Sequence, residues 1–181
     1  MKSRATLLAA LATAALVASA CSSSATTAPA ASAAASSGAS TSSISVTSFD
    51  AAFSAMAQLK DVYTAGKGMV GVILPDATTS ARYTSYDLPY LKQAFAAAGY
   101  AASDYKIDNA SGTATTELAL AQADITAGAK VLLVDPLDST TGNQIQAAAA
   151  AAGVTMISYD RATFQGTSTY YVSFDNVRSA S

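Results

Sequence analysis

Short apolar runs alternate with longer amphipathic stretches through most of the chain. The runs have the length of strands and occupy residues 69–74, 105–107, 130–134, 154–157 and 170–174. Between them, apolar side chains recur at helical spacing, most clearly at Leu88, Leu91 and Phe95. Strands and helices that alternate at this spacing predict βαβ units, which build a parallel sheet.

Helices are predicted in the intervening segments. Before the first strand, apolar residues that recur every three or four positions predict an amphipathic helix: Phe49, Phe53, Met56, Leu59 and Val62. A weaker helical pattern follows the second strand, with Leu118, Ala121 and Ile125 on one face. The segment 140–152 is rich in alanine and holds only Ile145 as a large apolar contact.

An Ala-Gly pair precedes each of the first four predicted strands. The glycines are Gly66, Gly99, Gly128 and Gly153, which lie 33, 29 and 25 residues apart. A glycine at this place suits a helix C-cap, where a left-handed residue ends the helix at little steric cost. Repeats of this length also build solenoids. The unequal units and the Val- and Leu-rich strands favour an α/β fold instead, a doubly wound parallel sheet with helices on both faces.

The first 21 residues have the features of a secretory signal peptide. A basic start, residues 1–4, precedes thirteen apolar residues, 5–17, a stretch too short to span a bilayer. Small residues then lead to Cys21, an order that resembles the lipobox of bacterial lipoproteins and predicts a lipidated Cys21. The alternative is an ordinary cleavable signal with an incidental cysteine. Residues 22–43 are nearly all Ser, Thr and Ala, which predicts a disordered tether.

Composition and charge exclude several classes of function. The 181 residues include 10 Lys and Arg against 12 Asp and Glu, a net charge of −2, so no nucleic-acid partner is expected. Histidine is absent and cysteine occurs once, which excludes a Ser-His-Asp triad, most zinc sites and an internal disulfide. We therefore expect no metal, no cofactor and no enzymatic activity. A hydrolase on an α/β sheet would also need a G-x-S-x-G motif, which the chain lacks.

Polar and charged residues collect where the predicted strands end, and ligands of open α/β sheets bind beyond those carboxyl ends. In chain order they are Asp76, Arg82, Tyr83, Asn109, Asp135, Asp138, Asp160, Arg161, Asp175 and Asn176. Carboxylate and amide oxygens accept hydrogen bonds from hydroxyl groups, Arg donates several, and an aromatic ring covers C–H groups. The set predicts a pocket for a neutral polyhydroxylated ligand. The sequence contains no glycine-rich phosphate loop, so a nucleotide ligand is not expected.

Some of these residues also fit a structural role. Asp138 precedes Ser-Thr-Thr and is predicted to be a helix N-cap. Asp76 and Asn109 fit a turn as well as they fit a ligand site. The adjacent charges Asp160 and Arg161 follow a buried strand, and a binding site explains such a pair better than a turn does.

Five pieces of the chain form a recognisable set. They are Gly71-Val-Ile-Leu-Pro75, Thr79-Ser-Ala-Arg-Tyr83, Gly128-Ala-Lys-Val-Leu-Leu-Val134, Ser158-Tyr-Asp-Arg161 and Tyr170-Tyr-Val-Ser-Phe-Asp-Asn176. In order and spacing, from about Gly68 to Asn176, they resemble the substrate-binding proteins of bacterial sugar ABC importers. These are ribose- and xylose-binding proteins with the type I periplasmic binding fold. The Ser-Ala-Arg-aromatic and Tyr-Asp-Arg signatures are most similar to the xylose- and multiple-aldose-binding branch.

The resemblance implies which residues contact a sugar. In that family two lobes grip one sugar between them. The residues implied here are Arg82, Tyr83, Asp135, Asp160, Arg161 and Asn176, with Asp76 and Asn109 as further candidates. Asp160 and Arg161 would hold sugar hydroxyls, and Asn176 would contribute from the start of the second lobe. Tyr83 would form an aromatic wall in a position where the family more often has Trp.

The resemblance also implies a function and a setting. The protein would capture a monosaccharide, xylose or a related aldose, for import through an ABC permease. It would act as a lipid-anchored monomer, when complete, at the outer face of the cytoplasmic membrane, in the periplasm or at the cell surface. Residues 44–169 would be the N-terminal lobe, and 170–181 the start of a second lobe, truncated here.

Three alternatives stay open at this point. The first is a sensor that presents its sugar-bound form to a chemoreceptor or a sensor kinase and uses the same pocket. The second is a non-functional fragment of such a protein, which would retain the residues of the pocket. A response-regulator receiver with Asp135 as phosphate acceptor is opposed by the signal peptide, which places the domain away from ATP-dependent kinases.

Overall fold

The computed structural model describes residues 44–66, 68–163 and 170–173. The strands in these ranges are β1 (Val70–Leu74), β2 (Tyr105–Asn109), β3 (Val131–Val134), β4 (Thr155–Tyr159) and β5 (Tyr170–Val172). The α-helices are α1 (Lys60–Gly66), α2 (Leu88–Ala97), α3 (Ala114–Thr126) and α4 (Ser139–Ala151). Short 3-10 helices cover Val46–Ser48 and Met56–Leu59, and a π-helical turn, Tyr83–Asp87, leads into α2.

The strands form one parallel sheet in the order β2-β1-β3-β4-β5. Val72 of β1 lies opposite Ile107 of β2 and Leu133 of β3, and Leu133 lies opposite Ile157 of β4. The order changes direction between β1 and β3, so the loops after these two strands open towards the same crevice. The predicted parallel α/β sheet is confirmed.

The sheet buries both of its faces under helices. On one face Ile73, Leu132 and Val134 pack in one cluster with Ile145 and Ala149 of α4. On the other face a second cluster forms, in which Val72 and Leu74 pack with Leu88, Leu91 and Phe95 of α2. All five residues of β1 are buried, as expected of a central parallel strand. The predicted helices on both faces are therefore confirmed.

The segment before β1 is less regular than its pattern predicts. A continuous helix through Phe49 and Val62 is wrong in its first half, because Phe53 has a φ of 58°. The carboxylate of Asp50 accepts hydrogen bonds from the backbone N–H groups of Ala52 and Ser54, both at 3.1 Å. These bonds close a local turn that competes with the helix. Within the predicted helix, from Phe49 to Val62, helical backbone begins only at Met56.

Three of the four predicted glycine caps are confirmed. Gly99, Gly128 and Gly153 have φ values of 91°, 91° and 69°, in the region where glycine carries no steric penalty. Gly66 instead lies inside α1, and the positive φ falls at Gly68. The predicted cap at the start of α4 is also confirmed, because the Asp138 carboxylate accepts a hydrogen bond from the Thr141 N–H at 2.8 Å.

Some predictions concern residues outside the described ranges. These are the signal peptide with Cys21, the tether 22–43, Phe174 at the end of the last predicted strand, and Asn176. Inside the described ranges, none of the helices combines the length and hydrophobicity needed to cross a bilayer.

Candidate functional site

Five predicted site residues come together at the carboxyl ends of β3 and β4. They are Arg82, Tyr83, Asp135, Asp160 and Arg161. Arg82 pairs with Asp160, and Arg161 contacts both Asp135 and the Tyr83 hydroxyl. Residues 82–83 follow β1, whereas the others follow β3 and β4 directly, so the parallel strands deliver all of them to one edge. We call these five residues the edge cluster.

Arg82 connects two loops of the edge cluster. Its Nε lies 2.9 Å from the Asp87 carboxylate, and its Nη1 lies 2.7 Å from the Asp160 carboxylate. Asp87 was not predicted as a site residue. It is five positions beyond Arg82, a spacing that a π-helical turn brings to one side but that a regular α-helix does not. The side chain of Arg82 keeps about a third of its surface exposed, so part of it is accessible to a ligand.

Asp160 adopts a backbone conformation that is uncommon for residues other than glycine. Its φ is 64°, which Asp tolerates better than most side chains do. The Asp160 N–H donates to the Val172 carbonyl at 2.8 Å, and the Tyr171 hydroxyl donates to the Asp160 carbonyl at 3.0 Å. These bonds to β5 hold the turn that separates the Asp160 and Arg161 side chains, so each pairs with a different partner.

Arg161 is held on one side and open on the other. Its Nη2 donates to the Tyr83 hydroxyl at 2.9 Å, and its Nη1 donates to the carbonyls of Pro136 and Leu137 at 3.4 and 3.3 Å. Its Nε lies 3.5 Å from the Asp135 carboxylate. The side chain is nevertheless 44% exposed. A planar guanidinium fixed in this way presents its remaining donor positions in a defined direction.

Asp135 is the least satisfied polar residue of the edge cluster. Its side chain is fully buried, and neither carboxylate oxygen has a hydrogen-bond partner within the described part of the chain. Burial raises the pKa of Asp135 to about 7, although the nearby Arg161 guanidinium acts in the opposite direction. The hydroxyl of Ser158, which lies in β4 opposite Val134 of β3, is likewise buried without a partner among the described residues. Two unpaired polar groups therefore lie on adjacent strands near this edge.

The Tyr83 ring belongs to the core. Only 3% of the residue is exposed, and the ring packs in the cluster of Val72, Leu74 and α2. The Arg82 and Arg161 guanidinium carbons lie 5.3 and 6.0 Å from the ring centre, within cation–π range. In this structure the ring offers no open face to a ligand, so its predicted use as a wall has no support here. Contact through its hydroxyl stays a prediction.

Asp76 and Asn109 make the contacts of turn residues. The Asp76 carboxylate accepts hydrogen bonds from the N–H groups of Thr78 and Thr79, at 2.7 and 3.0 Å, and from both threonine hydroxyls. These bonds, led by that from the Thr79 hydroxyl, hold the pKa of Asp76 well below its usual range. Asn109 donates to the Asp76 carbonyl at 2.7 Å and accepts from the Ser111 N–H at 2.8 Å. A ligand role for either residue stays a prediction.

An apolar groove of about 310 Å³ lies elsewhere, between the segment before β1 and α2. Its lining is Met56, Leu59, Val62, Tyr63, Leu91, Ala94, Phe95, Ala98 and Tyr100. This lining carries almost no hydrogen-bonding groups and does not suit a polyhydroxylated ligand. Within the described residues, no group of three or more Asp, Glu, His or Cys side chains is placed to hold a metal ion.

The chain belongs to the periplasmic binding protein domain family, whose model matches residues 70–181. It is 32% identical over 130 residues to the multiple sugar-binding periplasmic receptor ChvE of Rhizobium radiobacter, and the match covers 71% of this chain and 35% of that protein. The family match, residues 70–181, overlaps the span of the motifs quoted above, about Gly68 to Asn176, and the predicted family is confirmed.

Solved structures of solute-binding proteins share the fold. The carbohydrate transporter protein of Chloroflexus aurantiacus, in complex with D-glucose, is 33% identical with a TM-score of 0.55, over 62% of this chain and 32% of that one. An ABC transporter protein of Clostridium phytofermentans with bound β-D-glucose is 25% identical with a TM-score of 0.54, over 61% and 33%. This chain thus spans about a third of the length of each of these relatives.

Proposed function

We propose that this chain forms one lobe of a sugar-binding receptor that delivers a neutral monosaccharide to an ABC permease. The observation that carries the proposal is Asp135, a fully buried carboxylate that receives no hydrogen bond from the described residues, beside the partly exposed guanidinium of Arg161. A buried acceptor of this kind is costly unless a donor arrives. A sugar hydroxyl is such a donor, and the same hydroxyl accepts from Arg161.

The charges of the site favour a neutral ligand over an anion. Two guanidinium groups, of Arg82 and Arg161, face three carboxylates, of Asp87, Asp135 and Asp160. Among the described residues of the site, no excess positive charge is left for a phosphate or a carboxylate of a ligand. The relatives agree with this assignment, since one is named a multiple sugar-binding receptor and two hold D-glucose. Within that class, xylose and related aldoses are our proposed ligands, bound without any covalent step.

The setting of the protein is also a proposal. Its support is the order of a basic start, a short apolar stretch and Cys21, followed by a polar tether. We place the binding lobe outside the cytoplasmic membrane, anchored through Cys21, where it would meet the permease. Multiple acyl chains give stable anchoring, whereas a single chain gives only marginal binding.

A titration followed by two-dimensional NMR tests the proposed ligand class. The full chain, labelled with ¹⁵N, is titrated with D-xylose, D-glucose and L-arabinose up to high millimolar concentration. We expect shifts confined to residues 82–87, 135–138 and 158–162, in fast exchange because one lobe leaves much of the sugar hydrated. D-Glucuronate is the matched charged ligand and is expected to shift these signals less. Shifts centred on the apolar groove, or a preference for the anion, would refute the assignment.

A further inference from the structure

A buried carboxylate on α3 contacts the loop that forms the site. Glu117, in the first turn of α3, is fully buried. Its Oε1 and Oε2 accept a hydrogen bond from the backbone N–H of Leu137, at 3.3 and 3.2 Å. Burial raises the pKa of Glu117 to about 7, and the Leu137 N–H opposes that rise. A buried carboxyl group costs free energy unless it is hydrogen-bonded, and the Leu137 N–H supplies such a bond to Glu117.

The contact of Glu117 and a contact of Arg161 involve the same peptide group. The N–H that Glu117 accepts belongs to Leu137, and the carbonyl that Arg161 Nη1 contacts at 3.4 Å belongs to Pro136. These two atoms lie in one planar peptide unit. Because the unit is rigid, a bond that fixes the direction of its N–H also fixes the direction of its carbonyl. Glu117 thus connects to Arg161 through one peptide plane.

Neighbouring bonds hold the loop on either side of this peptide. The Asp135 N–H donates to the Ile73 carbonyl at 3.0 Å, which continues the sheet. The Asp138 carboxylate caps α4 through Thr141 at 2.8 Å. Between these two anchors, the Pro136–Leu137 peptide is the unit that the Glu117 carboxylate holds. A rotation of that peptide would move the Pro136 carbonyl away from Arg161, while the bonds of the Asp135 N–H and the Asp138 carboxylate stay in place.

We propose that Glu117 is a positioning residue that orients the Arg161 guanidinium through the Pro136–Leu137 peptide. Its effect on sugar affinity rests on the proposed function, whereas its effect on Arg161 does not. Glu117 itself is buried on α3 and does not contact the ligand. The acceptor oxygen, rather than the negative charge, performs this role, because a neutral acid or amide accepts the same N–H.

The test compares Glu117→Gln with Glu117→Leu in the full chain. Gln keeps an acceptor for the Leu137 N–H, and Leu removes it at similar volume. The measurements are the NMR resonance of the Arg161 Nε–H group and the affinity for D-glucose. We expect Glu117→Leu to shift the Arg161 resonance and to weaken D-glucose binding roughly ten-fold. Glu117→Gln is expected to retain the wild-type values of both.

Asp124→Leu is the matched control. Asp124 is also a buried carboxylate of α3, but its partner is Lys106 on β2, at 3.3 Å, and not the loop. We expect this variant to lose stability and to keep the Arg161 resonance. Hydrogen exchange of the Leu137 amide in the wild-type chain gives a second test that needs no variant, and we expect it to be protected.

The outcomes separate this proposal from the proposed function. An unchanged Arg161 resonance in Glu117→Leu, equal effects of Gln and Leu, or an unprotected Leu137 amide would overturn the positioning role. If the wild-type chain shows no sugar-induced shifts, the proposed function fails. The Arg161 resonance still decides the role of Glu117 in that case.

Discussion

Replacement of Arg161 by Ala is expected to weaken monosaccharide binding roughly thirty-fold or more, because loss of a charged hydrogen-bond partner that a closed two-lobe site would bury costs about 2–5 kcal/mol. Arg161 is the side chain that combines a fixed guanidinium with an exposed surface beside Asp135. Its loss removes sugar-binding donors and also the counter-charge of the buried carboxylate. The measurement is calorimetry on a hybrid protein that continues this chain, after residue 176, with the remainder of the Chloroflexus aurantiacus relative.

Two further variants of the hybrid make the Arg161 result specific. Arg161→Lys keeps the charge but lacks the planar fork, and we expect it to retain only a small part of the affinity. Lys92→Ala removes an exposed positive charge from α2 and is expected to bind as the wild type does. Thermal unfolding of each variant separates lost binding from lost folding. If Arg161→Ala and Lys92→Ala bind equally well, Arg161 does not belong to the site.

The free energy of unfolding of the chain is expected to fall as pH rises from about 5 to about 7.5. Asp135 and Glu117, with ordinary pKa values of 3.8 and 4.5, both have a pKa of about 7 in the folded chain because of burial. The folded state keeps these protons up to about pH 7, whereas the unfolded state releases them near pH 4. In between, the folded state binds more protons, so rising pH disfavours it, by about 2 kcal/mol for each group.

Among the described residues, few other groups change their protonation in this pH window. The chain has no histidine. Carboxylates with a lowered pKa, such as Asp76 and Asp138, contribute stability that is lost only as pH falls below the usual aspartate range. Burial also raises the pKa of Asp124, which adds to the expected slope in the same direction.

Urea unfolding of Asp135→Asn at about pH 5 and about pH 7.5 isolates the contribution of Asp135 to the loss of stability with rising pH. An amide of the same shape cannot ionise, so we expect a smaller loss of stability with rising pH. Asp61→Asn, which removes an exposed carboxylate in α1, is expected to keep the wild-type slope. A wild-type chain that gains stability between the two pH values would contradict the assignment. An unchanged slope in Asp135→Asn would do the same.

Local sequence patterns were sufficient for most of the fold. Apolar runs such as Val70–Leu74 and Val131–Val134 pack into the core clusters on both faces of the sheet, which is why their composition alone identifies parallel strands. Glycines at helix ends are predictable because the left-handed conformation is a local requirement. The prediction of a continuous first helix was wrong for an equally local reason. The Asp50 carboxylate closes a turn, which the spacing of apolar residues does not indicate.

The partners within the site could not be predicted in the same way. Asp135 and Arg161 could be predicted from the sequence, because they follow parallel strands whose carboxyl ends meet at one edge of the sheet. The contact of Glu117 with Leu137 spans 20 residues and depends on how α3 packs beside the loop. The pairing of Arg82 with Asp87 depends on a π-helical turn that no sequence signal marked. Burial of the Tyr83 ring likewise follows from the packing of α2 and not from the motif around it.

Calorimetric titration of D-glucose and D-xylose into the hybrid protein and into the chain alone tests the central claim most directly. Two lobes that close on a sugar exclude water from both sides of it, whereas one lobe leaves each contact in competition with water. We expect micromolar or tighter binding to the hybrid, loss of that binding in Arg161→Ala, and no comparable affinity in the chain alone. A hybrid that folds and binds none of the aldoses would contradict the account, and so would a monomeric 181-residue chain that binds them as tightly as the hybrid does.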